Sequence, residues 1–211
     1  MRVVLAGFGP FPGAPVNPSG ALAKALVRSR RSALAGLDRS AHIFATNYAA
    51  VDRSLPKLFA EKPDVVLVFG LAGRRREVCI ETRARNAVSV LFPDASKHRP
   101  SRSVIKLGGP PALTGRGPFA QLAAAVRARN VPVRLSRDAG GYLCNYVYWR
   151  ALERAPKGHP LVQFVHIPSL GCNPQRKQRR GRHKFSLADT IRAGEGLLIA
   201  LVAASKRQRE H

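Results

Sequence analysis

Apolar and polar positions follow one another along this chain in two rhythms, which predict strands and helices by turns. Residues 2–7, with Val3-Val4-Leu5-Ala6 inside them, and residues 65–70, Val65-Val66-Leu67-Val68-Phe69-Gly70, are apolar runs. Runs of that kind mark strands in a sheet covered on both faces. Further strands are predicted at 42–46, 131–135 and 161–168, the last stopped by Pro168. Helical spacing fills the intervals. One helix runs from Ser19, a side chain suited to an N-cap, to about residue 31, and another spans 50–60 in spite of Pro56. A third covers 119–130, and a fourth leaves the glycine turn at 140–141 and ends near residue 154. The last follows the capping-box spacing Ser186-Leu187-Ala188-Asp189 and ends near residue 205. Residues 93–118 are rich in proline, glycine and basic side chains and read as a long irregular excursion, a segment suited to a lid, a binding loop or a subunit contact. The alternation predicts an α/β fold, a single-domain three-layer α/β/α sandwich over residues 1–211 with a largely parallel, mixed central sheet.

Composition narrows the classes. A chain of 211 residues with 45% hydrophobic content supplies one sizeable core without disulfide staples. Its three cysteines, Cys79, Cys144 and Cys172, are odd in number, far apart and without a C-x-x-C pair. That argues against both a disulfide framework and a cysteine-based zinc site. No metal and no organic cofactor is expected. The first apolar run is too short for a signal segment, and no run approaches the about 20 residues of a membrane span. A soluble, cytoplasmic protein with no membrane partner is the expectation. Lys and Arg number 36 against 12 Asp and Glu, a net charge of +24 that would attract polyanions. The densest basic run, 176–184, has no aromatic residues interleaved for base stacking, so a solvated basic surface is expected rather than nucleic acid as the main partner.

The residues with the most chemistry lie at loops after strands. Asp138-Ala139-Gly140-Gly141-Tyr142-Leu143-Cys144-Asn145 turns on paired glycines into a helix, which puts Cys144 in a first turn where unpaired N–H groups favour a thiolate. A free cysteine also serves as a small buried apolar residue, and these residues alone leave both readings open. His166 ends one apolar run, as either a core histidine or a base at the sheet edge. Glu81 is one of the few acids in a basic chain, with a salt bridge or catalysis as its two readings; in an extended strand it shares a face with Cys79. Phe8 and Phe11 follow the first strand and are either ligand walls or core. Gly70-Leu71-Ala72-Gly73 lacks both the dinucleotide and the P-loop spacing, so no nucleotide site is expected. The remaining histidines are given no chemistry.

Taken together, Gly7-Phe8-Gly9-Pro10-Phe11 with Asn17-Pro18-Ser19, Gly70-Leu71-Ala72-Gly73 with Glu81, the segment around Cys144, and Phe164-Val165-His166-Ile167-Pro168 resemble the pyroglutamyl peptidase I family of cysteine peptidases, in order and spacing. The resemblance implies a triad of Cys144, His166 and Glu81, and a substrate pocket formed by Phe8, Phe11, Leu71, Tyr142 and Leu143. It implies hydrolysis of the amide after an N-terminal pyroglutamyl residue through a thioester, peptides bearing that residue as partners, and a homo-oligomer. The chain departs from the family pattern at Leu71, where Gln is usual, at Thr82, Arg83 and Arg85 after Glu81, at 115–118, and in the basic residues of 97–106. Two alternatives stand beside this reading: a hydrolase of the same fold with a different amide or acyl substrate, and a non-catalytic basic nucleic-acid-binding homologue.

Overall fold

The computed structural model describes residues 1–11, 14–155, 159–171 and 185–210. The basic run 176–184 and Cys172 lie outside the described residues. In chain order the elements are β1 (Arg2–Phe8), α1 (Pro18–Val27), β2 (Asp38–Phe44), α2 (Tyr48–Ala60), β3 (Val65–Leu71), β4 (Val78–Glu81), β5 (Arg83–Arg85) and β6 (Ala112–Thr114). They continue with α3 (Phe119–Arg127), β7 (Val133–Ser136), α4 (Leu143–Glu153), β8 (Leu161–Ile167) and α5 (Leu187–Arg209). Six strands form one sheet in the order β2-β1-β3-β8-β4-β7, while β5 and β6 pair as a separate ribbon. Every pairing in the large sheet is parallel except β4 against β8.

The reversal of β4 has a simple cause. The 72–77 connection between β3 and β4 is too short for a parallel crossover, which takes about a dozen residues or more. The chain therefore re-enters the sheet from the end it has just left, on the far side of β8, and runs antiparallel. The functional consequence is a register in which Cys79 faces His166 and Glu81 faces Phe164. Glu81 is thereby the diagonal neighbour of His166 on one face of the sheet, within reach of a long side chain.

Alternate residues of the central strands feed two apolar layers. Val3, Leu5, Val65, Leu67 and Val165 meet Leu22 and Leu26 of α1, Leu122 and Val126 of α3, and Leu197 and Leu201 of α5. Val4, Ala6, Val66, Val68 and Phe164 meet Val51 and Leu55 of α2 and Val147, Tyr148 and Trp149 of α4 on the opposite face. The result is the expected three-layer sandwich.

Several local expectations change. Strand β2 spans Asp38–Phe44 rather than 42–46, and α1 ends at Val27 rather than near 31. The start of α1 and the 93–118 segment also differ. Asn17, not Ser19, caps α1: its Oδ1 accepts from the Ser19 backbone N–H at 3.2 Å. Ser19 is buried and accepts from the Phe8 backbone N–H at 3.0 Å, which locks the helix start to the end of β1. Pro18 at the first helical position, with its preset φ, suits that placement. The 93–118 excursion is also less irregular than its composition suggests, because β6 pairs with β5. Asn86 further ties it down, with Oδ1 accepting from the N–H groups of Ile105 (2.9 Å) and Lys106 (2.8 Å). The capping box at Ser186 and Asp189 is present as expected.

Candidate active site

Cys144 occupies the second turn-forming position of α4, whose N-cap, Tyr142, makes no side-chain cap. The first N–H groups of a helix have no intrahelical acceptor, so this end of α4 presents donors and the positive end of its dipole toward the sulfur. Gly140 gives the preceding turn its shape with φ of +85°, a conformation that side chains rarely adopt. Asn145, fully buried, anchors the helix start: its amide donates to the carbonyls of Arg85 and Ala87, both at 2.8 Å, and accepts from the Arg85 N–H at 2.9 Å.

His166 stands near the end of β8, buried, with Nδ1 2.8 Å from Oε1 of the fully buried Glu81. Cys144 lines the same cavity as the ring and acts on it electrostatically. Burial by itself would lower the imidazole pKa. The charge of Cys144, joined by the hydrogen bond and charge of Glu81, reverses the effect and pushes it from 6.5 up to about 9. Oε1 of Glu81 also accepts from Nη1 of Arg75 at 2.6 Å, whereas Oε2 has no partner among the described residues. The main chain of Glu81 is fixed too: its carbonyl accepts from Tyr148 Oη (3.0 Å) and from Gln163 Nε2 (2.9 Å). Space for the sulfur is left by Gly70, where a Cβ would come within 2.9 Å of Cys144 Sγ.

Beside Cys144 and His166 opens a cavity of about 210 Å³. Phe8, Phe11, Leu71, Tyr142 and Leu143, all expected at a substrate pocket, line it, as do Asn17, Thr46, Ala139 and Gly140. Phe8 is at once wall and core, since its ring packs 5.7 Å from Phe44 and 6.5 Å from Phe164. Glu81 is the one expected site residue outside the cavity wall, behind His166. The volume falls below the about 300 Å³ at which pockets for drug-sized ligands begin, so the cavity suits one small ring rather than a peptide segment. No carboxylate is among its lining residues, which leaves nothing to pair with a free α-amine.

Sequence reasoning did not single out Arg75, Tyr148, Gln163 or Asn145. Arg75 is the middle of three consecutive arginines, and only the register of the turn decides which of them faces inward. Among the described residues no cluster of His, Cys, Asp and Glu suits a metal ion. No helix among them is long and apolar enough to cross a membrane.

A family model described as pyroglutamyl peptidase matches residues 1–207. The pyrrolidone-carboxylate peptidase of Gloeobacter violaceus is 31% identical over 204 residues, 95% of this chain and 97% of that protein. Its counterpart in Chromobacterium violaceum is 33% identical over 193 residues, 90% and 88% of the two chains. Among solved structures, the pyrrolidone carboxyl peptidase from Thermococcus litoralis superposes with a TM-score of 0.86 at 25% identity, covering 98% of this chain and 96% of that one. Pyroglutamyl peptidase I of Bacillus amyloliquefaciens gives 0.80 at 25% identity, covering 97% and 98%.

Proposed function

The chain belongs to the pyroglutamyl peptidase family, and from that premise we propose that it hydrolyses the amide bond after an N-terminal pyroglutamyl residue, with Cys144 as nucleophile, His166 as acid and base, and Glu81 as the carboxylate that orients the ring. The observation that carries this reading is the meeting of the three side chains beside one small, largely apolar cavity. The sulfur adds to the acyl carbon, and the oxygen that becomes negative finds its donors in the backbone N–H groups at the start of α4. Collapse of the adduct breaks the C–N bond as the imidazolium gives its proton to the departing amine, leaving a thioester. Water then gives a proton to His166 as it attacks the thioester, and pyroglutamate leaves. Because Nδ1 is held by Glu81, Nε2 is the nitrogen that exchanges protons throughout.

The lactam of pyroglutamate is flat, uncharged and partly apolar. Phe8, Phe11, Leu71 and Leu143 suit it, and the absence of a lining carboxylate disfavours an ordinary N-terminal amine. A reducing, cytoplasmic setting is part of the proposal, since the thiol must stay free to act; Cys79 and Cys144 are free cysteines. So is self-association, for which Leu91 and Phe92 just before the excursion and Leu107 within it offer exposed apolar side chains. A panel of fluorogenic pyroglutamyl, alanyl and prolyl amides tests the substrate. Preference for the pyroglutamyl amide is expected, and a preference for either of the others would sink the assignment.

A further inference from the structure

Glu81 has a second cation against it. The oxygen that Nδ1 of His166 reaches at 2.8 Å also accepts from Nη1 of Arg75 at 2.6 Å. The same guanidinium extends past β4: Nη1 donates to Ser136 Oγ at 3.2 Å, and Nη2 to the Asp138 carbonyl at 2.5 Å. One planar side chain thus spans the carboxylate of β4, the end of β7 and the turn that presents Cys144. A lysine has no fork with which to make those contacts at once.

A fully buried carboxylate is costly unless it is paired. During turnover His166 is protonated only part of the time, because its proton leaves with the amine. Arg75 keeps its charge throughout. While the ring is neutral, Arg75 is the only cation bonded to Glu81 among the described residues. We infer that Arg75 is a positioning residue of this reaction: it keeps the Glu81 carboxylate paired and aimed while His166 cycles, and ties it to the turn carrying Cys144. The inference rests on the Cys144–His166–Glu81 assignment. The other titratable groups near Glu81 are Cys79 on its own strand, His166 from β8 with Cys144 beyond it, and Tyr148 from α4, which burial keeps neutral. Ser136 from β7 adds a neutral hydroxyl.

Arg75→Gln and Arg75→Lys separate charge from geometry. Removing a cation from an anionic cluster makes it bind protons more readily, so in Arg75→Gln the plot of log kcat against pH should slide upward by about one pH unit. Its kcat should fall at least about tenfold with KM changed less than about threefold, the pattern of an interaction that matters in the transition state. Arg75→Lys should leave the profile where it is and lower kcat alone. Wild-type kcat in either variant, or a lowered rate in Arg75→Gln without the slide, overturns the inference. The pH dependence of Cys144 alkylation by iodoacetamide needs no substrate and should slide the same way in Arg75→Gln. An alkylation profile that stays put defeats the role of Arg75. A wild type inert toward pyroglutamyl amides whose alkylation profile still slides on substitution defeats the proposed substrate and leaves Arg75 in its place.

Discussion

His166 carries the clearest pH signature. Its ring titrates near 6.5 when unfolded and near 9 when folded. The stabilisation contributed by the protonated ring is therefore complete below pH 6.5 and is lost as the pH rises through 9. Activity should follow the same group, with an alkaline limb in kcat/KM near pH 9 as the acid needed by the leaving amine disappears. Glu81→Gln removes a negative charge from Nδ1, so that limb should move to lower pH; a limb unmoved in a stopped pH series would contradict the part given to Glu81. Gly70 matters through what it lacks. A methyl there would sit 2.7 Å from the Phe164 ring and 2.9 Å from Cys144 Sγ. Gly70→Ala should therefore cost about 1–3 kcal/mol by overpacking and displace the sulfur, lowering kcat more than tenfold. Steady-state kinetics beside thermal unfolding checks both effects. Cys144, His166 and Glu81 could be named from residue type and local pattern together with the family resemblance. Arg75 could not, because Arg74, Arg75 and Arg76 are indistinguishable until a fold turns one of them inward.

Elements, rather than single side chains, decide whether the sulfur is presented. The paired glycines before Cys144 and the apolar spacing after it made α4 legible, as the serine–aspartate spacing did for the start of α5. The cap of α1 was misplaced by two residues: Asn17 and Ser19 are both capping types, and only the contact of Ser19 with the Phe8 backbone tells them apart. Strand β6 escaped notice because a strand as short as Ala112–Thr114 has no periodicity of its own and exists only by pairing with β5. The direction of β4 was readable in principle from the short 72–77 connection. Asn145 shows how an element is held. Replacing it by Ala would strip partners from the Arg85 N–H and from the Arg85 and Ala87 carbonyls, at a cost of roughly 2–4 kcal/mol. A lowered urea midpoint together with reduced kcat is expected, and a midpoint equal to wild type would show that α4 is anchored by other contacts.

Across the molecule, one sheet organises the site: β8 brings His166, β4 brings Glu81, β7 leads into the turn before Cys144 at the start of α4, and β1 ends at Phe8. The two apolar layers share that sheet. We therefore expect residues 1–211 to unfold as one unit, with fluorescence and circular dichroism reporting coincident transitions; two separated transitions would divide the chain. The net charge of +24 is legible in the composition, but its consequence is not, because the site has its own local balance of Glu81, His166 and Arg75. The account as a whole stands on the sulfur of Cys144. Its most direct test is the hydrolysis of a pyroglutamyl amide by wild type and Cys144→Ala under identical conditions. Turnover by the wild type and loss of at least about a thousandfold in the folded variant is the predicted result. A Cys144→Ala protein that keeps the wild-type rate would contradict it.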